Sequence, residues 1–200
     1  KKPVHLLPNA VSHRLFNYKK NYYIPGDLPK AEKIILYIGA LWGDWFDWRL
    51  LIGTAETFPD YAVVVIGDYR WQCPETLPNL HFLGLKRQNE LPPYLKYSDV
   101  AIIPWFVNEI SLATSPLKIY EYLAMHVPVV VPNLPLLADL PYVFVSTDYF
   151  DFFENIKQAL KINRSTMKLV EFIDNNSWEH RVINIIRLLN NETVNNIDNH

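Results

Sequence analysis

The sequence predicts a doubly wound, Rossmann-like α/β domain with a parallel sheet, and three observations support this prediction. Short apolar runs alternate with helical patterns from residue 34 onward. Most of these runs are continuously apolar, as expected for strands that are buried on both faces of a sheet. Strict alternation of strands and helices is typical of parallel sheets covered by helices on both sides. Strands are predicted at residues 34–38, 61–66, 81–83, 99–103, 128–131 and 143–145.

Helical spacing of apolar residues predicts the elements between the strands. The clearest case is the stretch after the first strand, where apolar residues recur at helical spacing at Phe46, Leu50, Leu51, Ala55 and Phe58. Residues 1–190 are expected to form a single domain, and the asparagine-rich residues 191–200 a polar, flexible tail, because they have little to bury. Helices are predicted at residues 45–57, 89–97, 116–125, 149–161 and 178–189.

The ends of the predicted strands mark the edge where a ligand should bind. In open parallel sheets, ligands occupy the crevice outside the carboxyl ends of the strands. The candidate site wall therefore consists of the loops that follow Ile38, Ile66, Leu83, Ile103 and Val131.

The composition limits the classes of function that the chain can have. Half of its 200 residues are hydrophobic, which is ample for a buried core and argues against disorder. The net charge of -2 provides no basic field, so we expect no nucleic-acid partner. One cysteine, Cys73, excludes an internal disulfide and fits a reducing compartment. With no membrane-spanning run and no secretory signal pattern in this sequence, we expect a cytoplasmic location.

The segment that begins at Ser115 has the spacing of an anion site. Thr114 or Ser115 is suited to cap a helix, and Pro116 is suited to its first turn. Free backbone N–H groups and the helix dipole attract an anion to such a helix start, and Lys118 adds a full positive charge. Glu121 lies one turn later on the same face, where a carboxylate can accept both hydroxyls of a ribose.

The same spacing also fits an exposed ion pair between Lys118 and Glu121 on an amphipathic helix. Such pairs contribute only about 0.3–0.5 kcal/mol. On spacing alone this is the favoured interpretation, because the sequence has no glycine-rich phosphate loop. The six histidines are scattered without metal-ligand spacing, and we expect no metal or other cofactor.

A resemblance to a known family favours the anion site over the exposed ion pair. The segment Ser115-Pro-Leu-Lys-x-x-Glu-Tyr-Leu-Ala, followed by Pro128-Val-Val, resembles the donor-site signature of GT-B-fold glycosyltransferases of bacterial polysaccharide synthesis (group 1, or family 4-like). Further blocks, in the family's order over about residues 5–190, are similar to the C-terminal, donor-binding domain. They are Leu7-Pro-Asn-Ala-Val11, Tyr37-Ile-Gly-Ala-Leu41, Val65-Ile-Gly67, Phe82-Leu-Gly84, Leu91-Pro-x-Tyr-Leu95, Asp99-Val-Ala-Ile-Ile-Pro104 and Ser177-Trp-Glu-x-Arg181.

The resemblance implies roles for the start of the predicted helix. Lys118 would meet the donor pyrophosphate as a catalytic residue, and Glu121 would meet the ribose. Leu117 would offer its backbone N–H to phosphate, and Ser115 and Pro116 would complete this part of the donor site.

It also implies roles for three loops. Gly39 and Ala40 would let the first loop approach the phosphates. The backbone around Leu85 and Lys86 would border the base. Glu109 would contact the sugar ring as the second catalytic residue.

The sequence departs from the family pattern at three places. Many members carry two glutamates eight positions apart, but counting back from Glu121 leads to Ala113, so Glu109 would have to substitute. The Arg and Lys that commonly follow the first strand are absent, and Arg49, inside a predicted helix, is the nearest cation. A third position, His126, is often glycine in the family, and an imidazolium there would oppose the helix dipole.

The resemblance implies hexosyl transfer from a nucleotide diphosphate sugar to a saccharide acceptor. The expected donor is a UDP-sugar. The acceptor site would lie in an N-terminal domain outside this chain, so the chain alone is expected to be inactive. Any peripheral membrane association would run through that missing half. Two alternatives stay open: a non-catalytic GT-B-like interaction module in a polysaccharide assembly complex, and one half of a sugar-nucleotide epimerase, which the motif fits poorly.

The tryptophans after the first strand admit two interpretations. Trp42 and Trp45, in a loop on the ligand side, would either stack on a sugar or partner domain or pack internally. The spacing of Trp48 favours helix–sheet packing. Four aspartates would form carboxylate pairs only if folding brings them together: Asp44, Asp47, Asp68 and Asp99.

Overall fold

Parallel strands form one six-stranded sheet in the computed structural model, which describes residues 4–70 and 73–197. The strands are β1 Ile34–Ile38, β2 Ala62–Ile66, β3 Leu80–Phe82, β4 Val100–Ile102, β5 Val129–Val131 and β6 Val143–Val145. Their order across the sheet is β3-β2-β1-β4-β5-β6, and every neighbouring pair is parallel. The predicted doubly wound parallel sheet is therefore confirmed.

The helices that follow the strands begin and end near their predicted positions. They are α1 Trp48–Thr57, α2 Leu91–Lys96, α3 Glu109–Leu112, α4 Leu117–Ala124, α5 Tyr149–Ala159, α6 Val170–Asn175 and α7 Trp178–Ile197. The sequence pattern did not predict α3 and α6, which are too short to show a helical period. It predicted that α7 ends at Leu189, whereas the helix continues to Ile197. The flexibility predicted for residues 191–200 stays a prediction, and residues 198–200 lie outside the described part.

Two apolar cores cover the two faces of the sheet. Leu36 and Ile38 of β1 point into a core that α2 and α4 share, whereas Ile35 and Tyr37 point into a core shared with α1 and α5. This alternation explains why β1 is continuously apolar: both faces exclude water. Among the described residues, no helix has the length and apolar character that crossing a bilayer requires.

The first and last blocks of the family resemblance meet in space. The N–H of Val11 donates to the carbonyl of Asn176 at 2.8 Å, and the N–H of Trp178 donates back to the carbonyl of Val11 at 3.2 Å. The Arg181 guanidinium donates to the carbonyl of Asn9 at 3.1 Å. The amino-terminal segment is thus anchored on the start of α7.

A half-buried arginine, Arg164, joins the carboxyl ends of α2 and α4. All five guanidinium N–H groups of Arg164 donate to backbone carbonyls at these helix ends, where a continuing helix no longer supplies the usual i+4 N–H donor. The cation also opposes the negative ends of both helix dipoles. The five acceptors are Leu95, Lys96 and Ser98 after α2, and Met125 and His126 after α4.

His126 ends α4 in a left-handed conformation, with φ of 56°. This conformation explains why glycine suits the position. The ring stacks on Tyr18 with 4.2 Å between centroids. Burial lowers the pKa of His126, and the cations of Arg164 and Lys96 lower it further. The predicted imidazolium at this helix end is therefore wrong, because the fold favours the neutral ring and Arg164 supplies the opposing charge.

The lowered pKa of His126 predicts a pH-dependent stability. Between the folded pKa and the unfolded value of about 6.5, the unfolded chain binds more protons, so the contribution is complete above pH ~6.5 and is lost as pH falls below it. We expect His126→Asn, which tolerates positive φ, to flatten this part of the profile. Urea unfolding at pH values from 5 to 8 measures the difference, and identical pH slopes for the two proteins would contradict the prediction.

Candidate functional site

Two adjoining cavities open where the strand order reverses between β1 and β4. Both are lined by Ile38, Gly39, Ala40 and Lys118. The first, of about 330 Å³, is called the aromatic cavity because its further lining includes Trp45, Trp105, Ile103 and Ile110. The second, of about 380 Å³, is called the loop cavity because its further lining includes Trp42, Asp68, Leu85 and Lys86. The site residues predicted in the loops after β1 and β3 thus border one continuous cleft.

The position of α4 relative to β1 is fixed by one hydroxyl. Tyr122 is fully buried, and its hydroxyl accepts from the N–H of Ile38 at 2.9 Å and donates to the carbonyl of Ile38 at 3.1 Å. Burial raises the pKa of Tyr122, which keeps the hydroxyl proton that this second bond needs. Because Ile38 directly precedes Gly39, the first turn of α4 lies beside the loop after β1.

The start of α4 carries no side-chain cap. The N-cap residue is Pro116, so the prediction that Thr114 or Ser115 caps the helix is wrong. The Thr114 hydroxyl donates to the carbonyl of Ile110 at 2.6 Å, and the Ser115 carbonyl accepts from the Asn9 side chain at 2.6 Å. A helix start that no side chain covers can hold an anion through its N–H groups, including that of Leu117.

Lys118 and Glu121 form an ion pair that is not the exposed surface pair of the simpler interpretation. The ammonium lies 2.9 Å from one carboxylate oxygen, and the Glu121 side chain is only 1% exposed. The other carboxylate oxygen accepts from the Gln88 side chain at 2.9 Å. Sequence reasoning missed Gln88, since nothing in the chain links it to a residue 33 positions away. The buried carboxylate is held in one orientation behind Lys118, which lines both cavities, whereas Glu121 itself is not among the lining residues.

The loops after β1 and β2 approach each other closely at two glycines. The N–H of Gly39 donates to the carbonyl of Ile66 at 2.9 Å, and the N–H of Gly67 donates to the carbonyl of Gly84 at 3.0 Å. A Cβ atom on Gly67 would lie 1.8 Å from the carbonyl oxygen of Gly39. These contacts give the cleft a rigid backbone floor.

Lys86 lines the loop cavity, but its ammonium points to a carboxylate. It lies 2.6 Å from Asp27, which also accepts from the Tyr94 hydroxyl at 2.6 Å. The hydrogen bond with Asp27 raises the pKa of Lys86. The predicted contact of the Leu85–Lys86 backbone with a base stays a prediction.

A cation that sequence reasoning missed reaches the rim of the cleft. The Arg70 guanidinium lies 3.9 Å from the centroid of the Trp42 ring and 3.3 Å from Asp68. Arg49, by contrast, lies exposed on α1. Because Arg70 follows β2 rather than β1, its closeness to Trp42 is visible only in the folded chain.

Glu109 begins α3, which Asn108 caps by accepting from two backbone N–H groups. The Glu109 side chain is exposed, and the residues that line the two cavities do not include it. Its predicted contact with a sugar ring therefore has no geometric support here. Ala113 directly follows α3, so no carboxylate occupies that position.

Trp42 and Trp45 pack against each other with 5.3 Å between ring centroids, whereas Asp47 and Asp99 take separate partners. Trp48 packs edge-on against Phe46 at 4.8 Å between centroids, which confirms its role in helix–sheet packing. Asp47 caps α1, and Asp99 pairs with Lys33 at 3.0 Å. Within the described ranges, no three His, Cys, Asp or Glu side chains are grouped to hold a metal.

Comparison with known proteins decides the family. A family model described as glycosyl transferases group 1 matches residues 32–161. This chain belongs to the group 1 glycosyltransferases. A relative, the putative teichuronic acid biosynthesis glycosyltransferase TuaH of Bacillus subtilis (strain 168), is 31% identical over 150 residues. These residues are 70% of this chain but only 38% of TuaH.

Solved structures show the same fold as this group 1 glycosyltransferase chain. Sucrose-phosphate synthase from Thermosynechococcus elongatus matches with a TM-score of 0.63 and 14% identity, over 95% of this chain and 53% of that enzyme. HepE from Anabaena, in complex with UDP and glucose, matches with a TM-score of 0.61 and 16% identity, over 78% of this chain and 48% of HepE. The chain thus spans about half the length of these two proteins, and the predicted resemblance to the C-terminal domain of a group 1 glycosyltransferase is confirmed.

Proposed function

We propose that this chain binds a nucleotide diphosphate sugar, specifically a UDP-sugar, as the donor half of a hexosyltransferase. The acceptor site and any general base would lie in an N-terminal domain outside the chain. The observation that carries the proposal is that Lys118 lines both cavities, lies at an uncapped helix start and is paired with the buried Glu121. HepE, a structural neighbour in complex with UDP and glucose, supports the choice of ligand class.

The proposed binding mode assigns one partner to each group. The diphosphate lies on the N–H groups at the start of α4, beside Lys118 and the glycine turn at Gly39. The ribose hydroxyls donate to Glu121, whose two oxygens each accept one bond already and keep a further lone pair. The base enters the loop cavity beside Leu85 and Lys86.

Charge stabilisation would be the chemical contribution of this half. When the bond between sugar and phosphate breaks, negative charge grows on the departing diphosphate. Lys118 and the helix N-terminus are already in place, so they stabilise that charge without reorganisation. This half also holds the donor in position for an acceptor on the other side of the cleft.

We expect Lys118→Ala to weaken UDP binding by at least about tenfold, because a charge-assisted contact contributes roughly 1.5–3 kcal/mol. Isothermal titration calorimetry of the chain with UDP measures the change. Lys118→Gln keeps a donor for Glu121 but removes the charge, so it separates the electrostatic effect from any effect on folding. The proposal would be refuted if the wild-type chain did not bind UDP, or if both variants bound UDP as tightly as the wild type does.

The chain offers a matched control for this experiment. Lys157 pairs with Glu154 at 2.6 Å with the same three-residue separation, but both side chains are exposed, and the pair lies on α5. Lys157→Ala should leave the affinity for UDP unchanged. A loss equal to that of Lys118→Ala would mean that UDP responds only to net charge.

A non-catalytic interaction module remains the second candidate. Ala113 at the position of the usual glutamate, together with the placement of Glu109 away from the cavities, favours it. A protein in which this chain follows an N-terminal acceptor domain separates the two candidates. Sugar transfer that depends on Lys118 supports the enzyme, and a folded protein that binds UDP without transfer supports the module.

A further inference from the structure

The aromatic cavity presents carbon rather than hydrogen-bonding groups to a ligand. Its wall is formed chiefly by the side chains of Ile38, Ile103, Ile110, Trp45 and Trp105. Its volume of about 330 Å³ is sufficient for a small-molecule group. It also begins at Lys118, where it adjoins the loop cavity.

The polar side chains around this cavity bond to the protein itself. The Tyr37 hydroxyl donates to the carbonyl of Ala40 at 2.9 Å and accepts from the indole N–H of Trp105 at 3.3 Å. The Ser111 hydroxyl donates to the carbonyl of Asn108 at 3.1 Å and accepts from the N–H of the same residue at 2.9 Å. The hydroxyl protons of Tyr37 and Ser111 and the indole N–H of Trp105 are therefore already bonded within the protein.

The remaining polar side chains extend this pattern. The Thr114 hydroxyl donates to the carbonyl of Ile110 at 2.6 Å, and Lys118 is paired with Glu121. Among the described side chains that line this cavity, only Trp45 and Lys118 keep donors for a ligand. A hydroxyl directed at the apolar wall would lose its water without gaining a partner, whereas a methyl group would gain from leaving water.

We infer that the aromatic cavity receives the sugar of the donor and selects a sugar that carries a methyl group, as an acetamido or a 6-deoxy sugar does. The inference rests on the proposed function, since a diphosphate at Lys118 directs the nucleoside into one cavity and the sugar into the other. One extra carbon in an apolar pocket changes binding by roughly 10–200-fold.

Calorimetry of the chain with UDP, UDP-glucose, UDP-N-acetylglucosamine and UDP-6-deoxyglucose tests the inference. We expect at least one methyl-bearing donor to bind about tenfold more tightly than UDP-glucose, and the one that does so identifies the group. If UDP-glucose binds as tightly as both others while UDP binds, the inference is overturned and the proposed function stands. If UDP does not bind, both are overturned.

Two exposed residues of α3 provide a matched pair of variants. Ile110 is 59% exposed and lines the cavity, whereas Leu112 is 41% exposed and does not line it. Ile110→Ser should reduce the ratio of the affinities for the methyl-bearing donor and for UDP-glucose to about one. Leu112→Ser should keep the wild-type ratio. Since both residues are exposed, both variants should fold, which thermal unfolding checks. A preference that survives Ile110→Ser would also overturn the inference.

Discussion

Arg164→Ala should destabilise the fold by about 3–5 kcal/mol, a large part of the roughly 5–15 kcal/mol that a typical domain has. The side chain donates to five carbonyls at the ends of α2 and α4. Alanine removes one donor from each of these carbonyls, and an acceptor that is shielded from water and left without a partner costs desolvation free energy. Urea unfolding followed by circular dichroism measures the loss.

Two further variants define what the arginine does. Arg164→Lys keeps the charge, but a single ammonium cannot reach acceptors spread around a planar fork, so most of the loss should remain. Arg49→Ala, at an exposed site on α1, should change stability by less than about 0.5 kcal/mol. Full rescue by lysine would show that charge opposing the helix dipoles, rather than the five bonds, stabilises this junction.

Gly67→Ala should cost about 2–5 kcal/mol, because backbone strain and overpacking act together. The added Cβ would meet the carbonyl oxygen of Gly39 at 1.8 Å, and φ at this position is 156°. A backbone atom cannot move aside as a flexible side chain can, so the loop after β1 has to shift. Since Gly39 lines both cavities, we expect weaker UDP binding as well as a lower midpoint in urea.

The control for this substitution is Gly26→Ala, where a Cβ would meet nothing within 4 Å. Its stability should equal or slightly exceed that of the wild type, because alanine restricts the unfolded chain. If Gly67→Ala behaves like Gly26→Ala, the close approach of the two loops is not a constraint on the fold.

The strands could be predicted from the sequence because their signal is local. Continuous apolar runs such as Ile34–Ile38 and Ala62–Ile66 are buried on both faces, and no tertiary contact changes that pattern. The helix caps were less predictable. Thr114 and Ser115 were the two predicted caps, but the N-cap is Pro116, and the Ser115 carbonyl accepts from Asn9, which lies 106 positions away.

At the candidate site, too, local spacing could be predicted from the sequence, whereas contacts between distant residues could not. Spacing placed Lys118 and Glu121 on one helix face, but it could not distinguish an exposed pair from a buried one. That difference depends on Gln88 and Tyr122, whose bonds span 33 and 84 positions. Arg70 was missed for a similar reason, since it meets Trp42 only after two loops come together.

The three cations at the cleft share a property that bears on how ligands compete in a cell. Lys118, Lys86 and Arg70 each hold a carboxylate of the protein, at 2.9, 2.6 and 3.3 Å. Inorganic phosphate can bind to Lys118, but it has no neighbouring pair of hydroxyls that could donate to Glu121. A nucleoside diphosphate supplies both at once, through its phosphates and its ribose. Under the proposed binding mode, Glu121 competes with the ligand for Lys118, and a two-part ligand that engages both side chains keeps this buried carboxylate hydrogen-bonded.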